Sequence, residues 1–182
     1  MVEERQVQNL VKNAKRGDSQ AFGELYDLYA SKVFNFIFSR VRNKAVAEDI
    51  LQTVFLKAWN SLAKYTPSPN AKFSTWLFQI ANFTVIDYWR TKKDILDLDK
   101  LENLTQFAVD PKLYENYNFL WAALDELPQD YSTVVYLRFI QDLSIKETAE
   151  IMNKTQIGVR VAQHRAIKSL RSILRKNGHE NF

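Results

Sequence analysis

Apolar residues recur every three or four positions along most of this chain, the spacing that lines one face of an α-helix. Val7, Leu10, Val11 and Ala14 predict a short helix over 3–16, which Gly17 stops; Asp18 stands where the next helix needs a cap. That second helix runs to about Arg42, with Phe22, Leu25, Tyr26, Tyr29, Val33, Phe36, Ile37 and Val41 as its stripe, and Asn43-Lys44 breaks it. A third, from about Ala45 to Leu62, has Ala47, Ile50, Leu51, Val54, Ala58 and Leu62 as its core stripe. The Pro-containing loop Tyr65–Asn70 follows, then a fourth helix from about Ser74 to Thr91.

Periodicity fades over 94–112, a stretch that ends at Asp110-Pro111. Leu96, Leu98, Leu101 and Leu104 there have the spacing of a short helical turn. Beyond it the pattern predicts helices over about 113–126, 128–141, 144–152 and 156–175, with Pro128 suited to a first helical turn. With only four Gly and four Pro in 182 residues, the chain lacks the tight turns of an all-β protein. The expectation is an all-α fold. Two small helical domains, 1–93 and 113–182, are joined by a linker over 94–112.

The last two predicted helices carry the sharpest signal. Ser144 followed by Glu147 is a capping box, with Ile145, Thr148, Ala149 and Met152 turned inward. Asn153 tolerates the left-handed conformation of a tight turn, and Thr155 can cap the helix after it. Helix, tight turn and helix in this order predict a helix-turn-helix. On its second helix Val159, Ala166 and Leu170 share one face, with Ala162 and Leu174 nearby. His164, Lys168 and Arg175 point the opposite way, flanked by Arg160, Arg165 and Arg171.

Charge sharpens this picture. Lys154 to Lys176 holds seven Lys or Arg and no acid, whereas Asp94 to Asp110 holds five acids and only Lys100. A buried stripe with a cationic back suits insertion into a DNA major groove, where cations neutralise phosphates and residues near the helix start reach base edges. A solvated charged face is the alternative; the coincidence of capping box, turn residue and acid-free run favours DNA.

In the first domain, Leu56 and Trp59 fall beside Asp49 and Gln52, outside the core stripe of the third helix. Large apolar residues there fit either a protein-binding surface or cover by neighbouring helices. The fourth helix mixes Phe73, Trp76, Phe78, Phe83, Tyr88 and Trp89 with Arg90, Lys92 and Lys93, a combination used to bind single strands. Trp76 and Tyr88 are assigned to packing, and Phe83, Trp89 and Tyr65 stand as candidates for stacking on bases.

The absence of Cys excludes disulfides, thiolate metal sites and thiol catalysis. Neither His164 nor His179 has a ligand partner at metal spacing, and no phosphate-cradling Gly loop occurs, so no cofactor, metal or catalytic constellation is expected. The N-terminus Met1–Arg5 lacks the apolar core of a signal peptide, and no run reaches membrane-spanning length. The expectation is a cytoplasmic protein with no membrane insertion.

These stretches resemble a known family. Ala21–Tyr26, Ala47–Trp59, Phe73–Leu77 and Ile86–Arg90 are similar to the promoter-melting domain of extracytoplasmic-function (ECF) sigma factors of bacterial RNA polymerase. Leu127-Pro128 through Leu170-Arg171 resembles the promoter-binding helix-turn-helix domain of the same family. The resemblance implies a subunit, not an enzyme, that binds core RNA polymerase and directs promoter recognition, DNA melting and transcription initiation. By the same resemblance, Asp49, Gln52, Phe55, Leu56 and Trp59 would dock on a coiled coil of the polymerase largest subunit. Tyr65, Asn82, Phe83, Asp87, Trp89, Arg90, Lys92 and Lys93 would hold the opened minus-ten strand. Gln156, Ile157, Arg160, Val161, His164, Arg165, Lys168 and Arg171 would meet the minus-35 element in the major groove. The acidic linker would thread the channel that later holds RNA, and an anti-sigma protein is a further implied partner.

The chain departs from the family pattern in places. Phe83 stands where Asn is common, and Gly158-Val159-Arg160-Val161-Ala162 replaces Thr-Val-Lys-Ser-Arg, with Gln163 at a usual Leu. Gly158 costs about 1 kcal/mol against Ala inside a helix. Ile157 and Val161 put apolar groups at positions suited to polar base readers; they either meet thymine methyls or leave the helix a poor reader of sequence. The competing functions are a helix-turn-helix regulator that acts without polymerase, and a sigma-like interaction module without initiation activity.

Overall fold

The computed structural model describes residues 4–66, 72–96 and 118–179, all of whose regular elements are helical. They fall into two compact units, divided between Phe107 and Ala108.

In the first unit α1 (Glu4–Ala14) buries Val7, Leu10, Val11 and Ala14, as its stripe predicts. Gly17, at φ +93°, makes the turn, a backbone conformation that side chains with a Cβ rarely adopt. Asp18 Oδ1 then accepts from the N–H groups of Gln20 (3.0 Å) and Ala21 (3.1 Å) and starts α2 (Ser19–Val41). Arg42 closes α2 in the left-handed region, and Asn43 caps α3 (Lys44–Ser61) by accepting from Val46 N–H at 3.0 Å. A 3-10 turn (Leu62–Lys64) leads out of α3, and α4 (Phe73–Leu96) returns across the unit.

The core lies where α2 crosses α3 and α4, around Leu25, Val33, Phe36, Ile37, Val54, Leu77, Phe78 and Val85. Phe36 and Phe78 meet edge to face at 5.5 Å, a favoured aromatic geometry. Phe38, outside the predicted stripe, is also buried, its ring stacked on that of Phe34 with centroids 5.9 Å apart. One boundary needs correction: residues 94–96, assigned to the linker, belong to α4. Nothing in Thr91–Leu96 breaks a helix, so α4 runs on past the cationic residues. The rest of the expected linker and the start of the helix expected from 113 lie outside the described residues.

The second unit has α5 (Asn118–Asp125), α6 (Gln129–Val135) continued by a π turn (Tyr136–Ile140), α7 (Ile145–Met152) and α8 (Gln156–Lys176). Pro128 sits at the N-cap of α6, one residue before its first turn. Ala123, Leu124, Leu127, Val135, Ala166, Leu170 and Leu174 form its core. The end of α6 widens because Gln141 N–H bonds Tyr136 O and Leu143 N–H bonds Leu137 O, each at 3.0 Å, with Asp142 left-handed between them. Among the described residues no helix is long and apolar enough to cross a membrane.

Candidate nucleic-acid interface

The turn between α7 and α8 is built by the residues that predict it. Ser144 Oγ accepts from Glu147 N–H at 3.1 Å, while Glu147 Oε2 accepts from Ser144 N–H at 2.8 Å, a closed capping box. Asn153 is left-handed at φ 51°, and Thr155 Oγ1 accepts from Gly158 N–H at 3.0 Å to start α8. A Cβ on residue 158 would lie 3.2 Å from that capping oxygen, so Gly158 leaves the cap room. Gln163 is equally accounted for: its Oε1 accepts from Arg138 Nε at 3.1 Å, and the same guanidinium donates to Leu143 O. This pair ties the π turn to α8.

With α8 anchored through Val159, Ala166, Leu170 and Leu174, the residues assigned to duplex DNA stand outward. Gln156, Ile157, Arg160, Val161, His164, Arg165, Lys168 and Arg171 are all exposed. Arg160 and Lys168 make no ion pair or hydrogen bond among the described residues, so their charges are available to phosphates. Lys154 differs, being paired to Asp130 at 2.9 Å. The positive end of the α8 dipole points the same way as its first exposed residues, which favours an anionic partner there.

In the first unit, α3 presents Asp49, Gln52 and Leu56 to solvent, Leu56 at 61% exposure. Trp59 is half-buried against Phe22, with ring centroids 4.9 Å apart. Phe55 requires correction as a contact residue. It is buried, packed against Tyr26 at 4.6 Å and Phe22 at 6.3 Å. It therefore backs this surface and does not form it. Phe22 and Tyr26 of α2, absent from the sequence-based set, complete the aromatic patch; their place in the predicted stripe of α2 had assigned them to the core.

On α4, Phe83 is 40% exposed and Arg90 is exposed. Trp89 is half-buried, with the Lys92 ammonium 5.5 Å from its ring and 5.8 Å from that of Tyr88. Asp87 pairs with Arg90 at 3.1 Å and with Lys57 at 3.9 Å, so the carboxylate positions two cations and does not stand alone. Two candidates are structural instead. Asn82 is buried and accepts from Arg40 at 2.6 Å. Tyr65 is buried against Trp76 at 4.8 Å and Phe73 at 5.8 Å, and its carbonyl accepts from Lys15 at 2.6 Å. Both side chains are buried within the first unit, Asn82 beside Arg40 and Tyr65 beside Phe73 and Trp76. The side chain of Lys93 lies outside the described residues.

Residues 25–95 match Sigma-70 region 2, and residues 120–170 match Sigma-70, region 4. The ECF RNA polymerase sigma factor SigW of Bacillus subtilis is 33% identical over 186 residues, covering 94% of this chain and 98% of that protein. The ECF RNA polymerase sigma factor BldN of Streptomyces coelicolor is 33% identical over 176 residues, covering 92% of this chain and 66% of that protein. Among solved structures, CnrH in complex with the cytosolic domain of CnrY shares the fold at a TM-score of 0.73 and 20% identity, over 94% of this chain and 98% of that one. RpoE of Bartonella quintana, bound to the anti-sigma factor NepR, shares it at 0.72 and 21%, over 85% and 96%. Two helical units in this order, matching both sigma-70 regions and aligning with SigW along nearly its whole length, place the chain among the ECF RNA polymerase sigma factors, which direct polymerase to promoters.

Proposed function

We propose that the chain captures a promoter at two points while polymerase performs the chemistry. The second unit holds duplex DNA at the minus-35 element through the outer face of α8. The first unit docks on core polymerase through Asp49, Gln52, Leu56 and Trp59, with Phe22 and Tyr26 beside them. Phe83, Trp89, Arg90, Lys92 and Lys93 follow the opened minus-ten strand. There each base stacked on a ring contributes about 1–3 kcal/mol. The observation that carries this reading is α8 itself: one face is sealed into the core, and the opposite face holds cations that are unpaired among the described residues, with no acid among them.

The protein works in the cytoplasm, where polymerase and DNA are. An anti-sigma protein holds it inactive, a partner supported by the folds it shares and by the aromatic patch of α2 and α3, whose partly exposed rings suit a protein contact. The test is transcription in vitro with core polymerase and a genomic fragment library, with and without the chain. Selective new transcripts support the reading. Polymerase binding without initiation gives the chain to sigma-like regulators that no longer start transcription.

A further inference from the structure

Along the outward face of α8 the chemistry changes abruptly. At 100° per residue, Ile157, His164, Lys168 and Arg175 fall on nearly one line, with Val161 beside it. The last turns are cationic, but the exposed residues of the first two turns are Gln156, Ile157, Arg160 and Val161. Two of these four have no donor or acceptor, and Ile157 is 71% and Val161 45% exposed. The nearby Thr155 hydroxyl is engaged by the Gly158 N–H, and the nearby Asp130 carboxylate by Lys154. The leading edge of this helix is thus an apolar pair inside a ring of positive charge.

We infer that Ile157 and Val161 read the C5-methyl groups of thymines, so that the upstream element is recognised by apolar contact as well as by hydrogen bonds. The inference rests on the proposed placement of α8 in duplex DNA and names what it reads there. Thymine is the only base that presents a methyl group in the major groove. Residues one turn apart on a helix have Cβ atoms about 5–6 Å apart. Base pairs stack at about 3.4 Å, so the pair spans between one and two steps. The surrounding cations argue for DNA as the occupant: Arg160, Arg165 and Lys168 bring phosphates to both sides of the apolar pair, whereas an apolar protein surface would leave those charges facing nothing of opposite sign.

The test uses holoenzyme assembled from the full chain and core polymerase. Duplexes are selected from a library randomised over the upstream element, then resynthesised with deoxyuridine in place of thymine in that element. Each contacted methyl should contribute about fourfold in affinity, the effect of one buried methyl-sized group. The thymine form should therefore bind several-fold to about fifteen-fold tighter, and Ile157→Ser combined with Val161→Ser should bind both forms alike. Equal binding of the two forms by the unsubstituted protein overturns the inference and leaves the proposed function intact. Failure to select any upstream sequence overturns the proposed function itself. A thymine preference that survives in the double variant removes these two residues from the reading. Equal binding of both forms, with polymerase affinity lost in the double variant, gives the pair to a protein contact and also overturns the inference.

Discussion

Replacing Arg160 with Ala isolates one phosphate contact. Arg160 projects from the exposed face of α8, and among the described residues it pairs with nothing that its loss would leave stranded. Its removal should leave the fold intact, since surface substitutions of this kind change stability by less than about 0.5 kcal/mol. Binding is where the effect falls. A cation that neutralises one phosphate releases counterions worth about 0.9 in the slope of log K against log salt. Between 50 and 200 mM salt that exponent amounts to roughly a 3.5-fold change in affinity. The advantage of the unsubstituted chain over Arg160→Ala should shrink by that factor across the range, as should its advantage over Lys168→Ala. Fluorescence anisotropy of the full chain with a labelled duplex reads the slope directly. Lys12→Ala, on exposed α1 of the other unit, is the control and should leave it unchanged. A slope unaltered in both α8 variants would refute the assignment of this face to DNA.

Other outcomes follow from the same geometry. Leu56→Ala should leave folding unchanged and weaken core-polymerase binding by about fivefold or more in a pull-down titration. Trp59→Ala should cost both affinity and stability, because its ring packs on Phe22. Thr148 is fully buried with a hydroxyl that has no partner among the described residues, so Thr148→Val should raise stability by about 1 kcal/mol, or roughly 4–8 °C of melting temperature for a domain of this size. Calorimetry of the full chain reads that shift, and an unchanged or lower melting temperature counts against the orphaned hydroxyl. Burial, followed by the nearby Glu4 carboxylate, pushes Tyr29 up to about 12 from 10.0. The folded state keeps a proton that the unfolded chain releases, so this stability is complete below about pH 10 and is lost as pH rises toward 12. Urea denaturation should show that decline, and Tyr29→Phe should lessen it.

Much of this was legible from residue spacing and caps. Asp18, Asn43, Ser144 with Glu147, Asn153 and Thr155 are local devices whose geometry depends on a few neighbouring atoms, and the helices begin and end at them. The core stripe of α3 and the buried face of α8 were legible for the same reason, since each packs on one side. Phe55, Tyr65 and Asn82 were not, because their burial depends on residues distant in sequence: Tyr26 and Phe22 for Phe55, Lys15 and Phe73 for Tyr65, and Arg40 for Asn82. Periodicity places a residue on a helix face but does not say what crosses that face. The π turn was hidden too, for its shifted hydrogen bonds leave no mark on apolar spacing. The role of Gln163 is hidden as well, since its partner Arg138 lies twenty-five residues earlier.

Two-point capture is tested most directly by footprinting the reconstituted holoenzyme on a promoter selected by transcription. Such capture requires protection of duplex DNA upstream together with permanganate-reactive thymines in the minus-ten region, and loss of the upstream protection when Arg160 and Lys168 are both replaced by Ala. Strand opening that proceeds with the upstream duplex unprotected by the unsubstituted chain would contradict it.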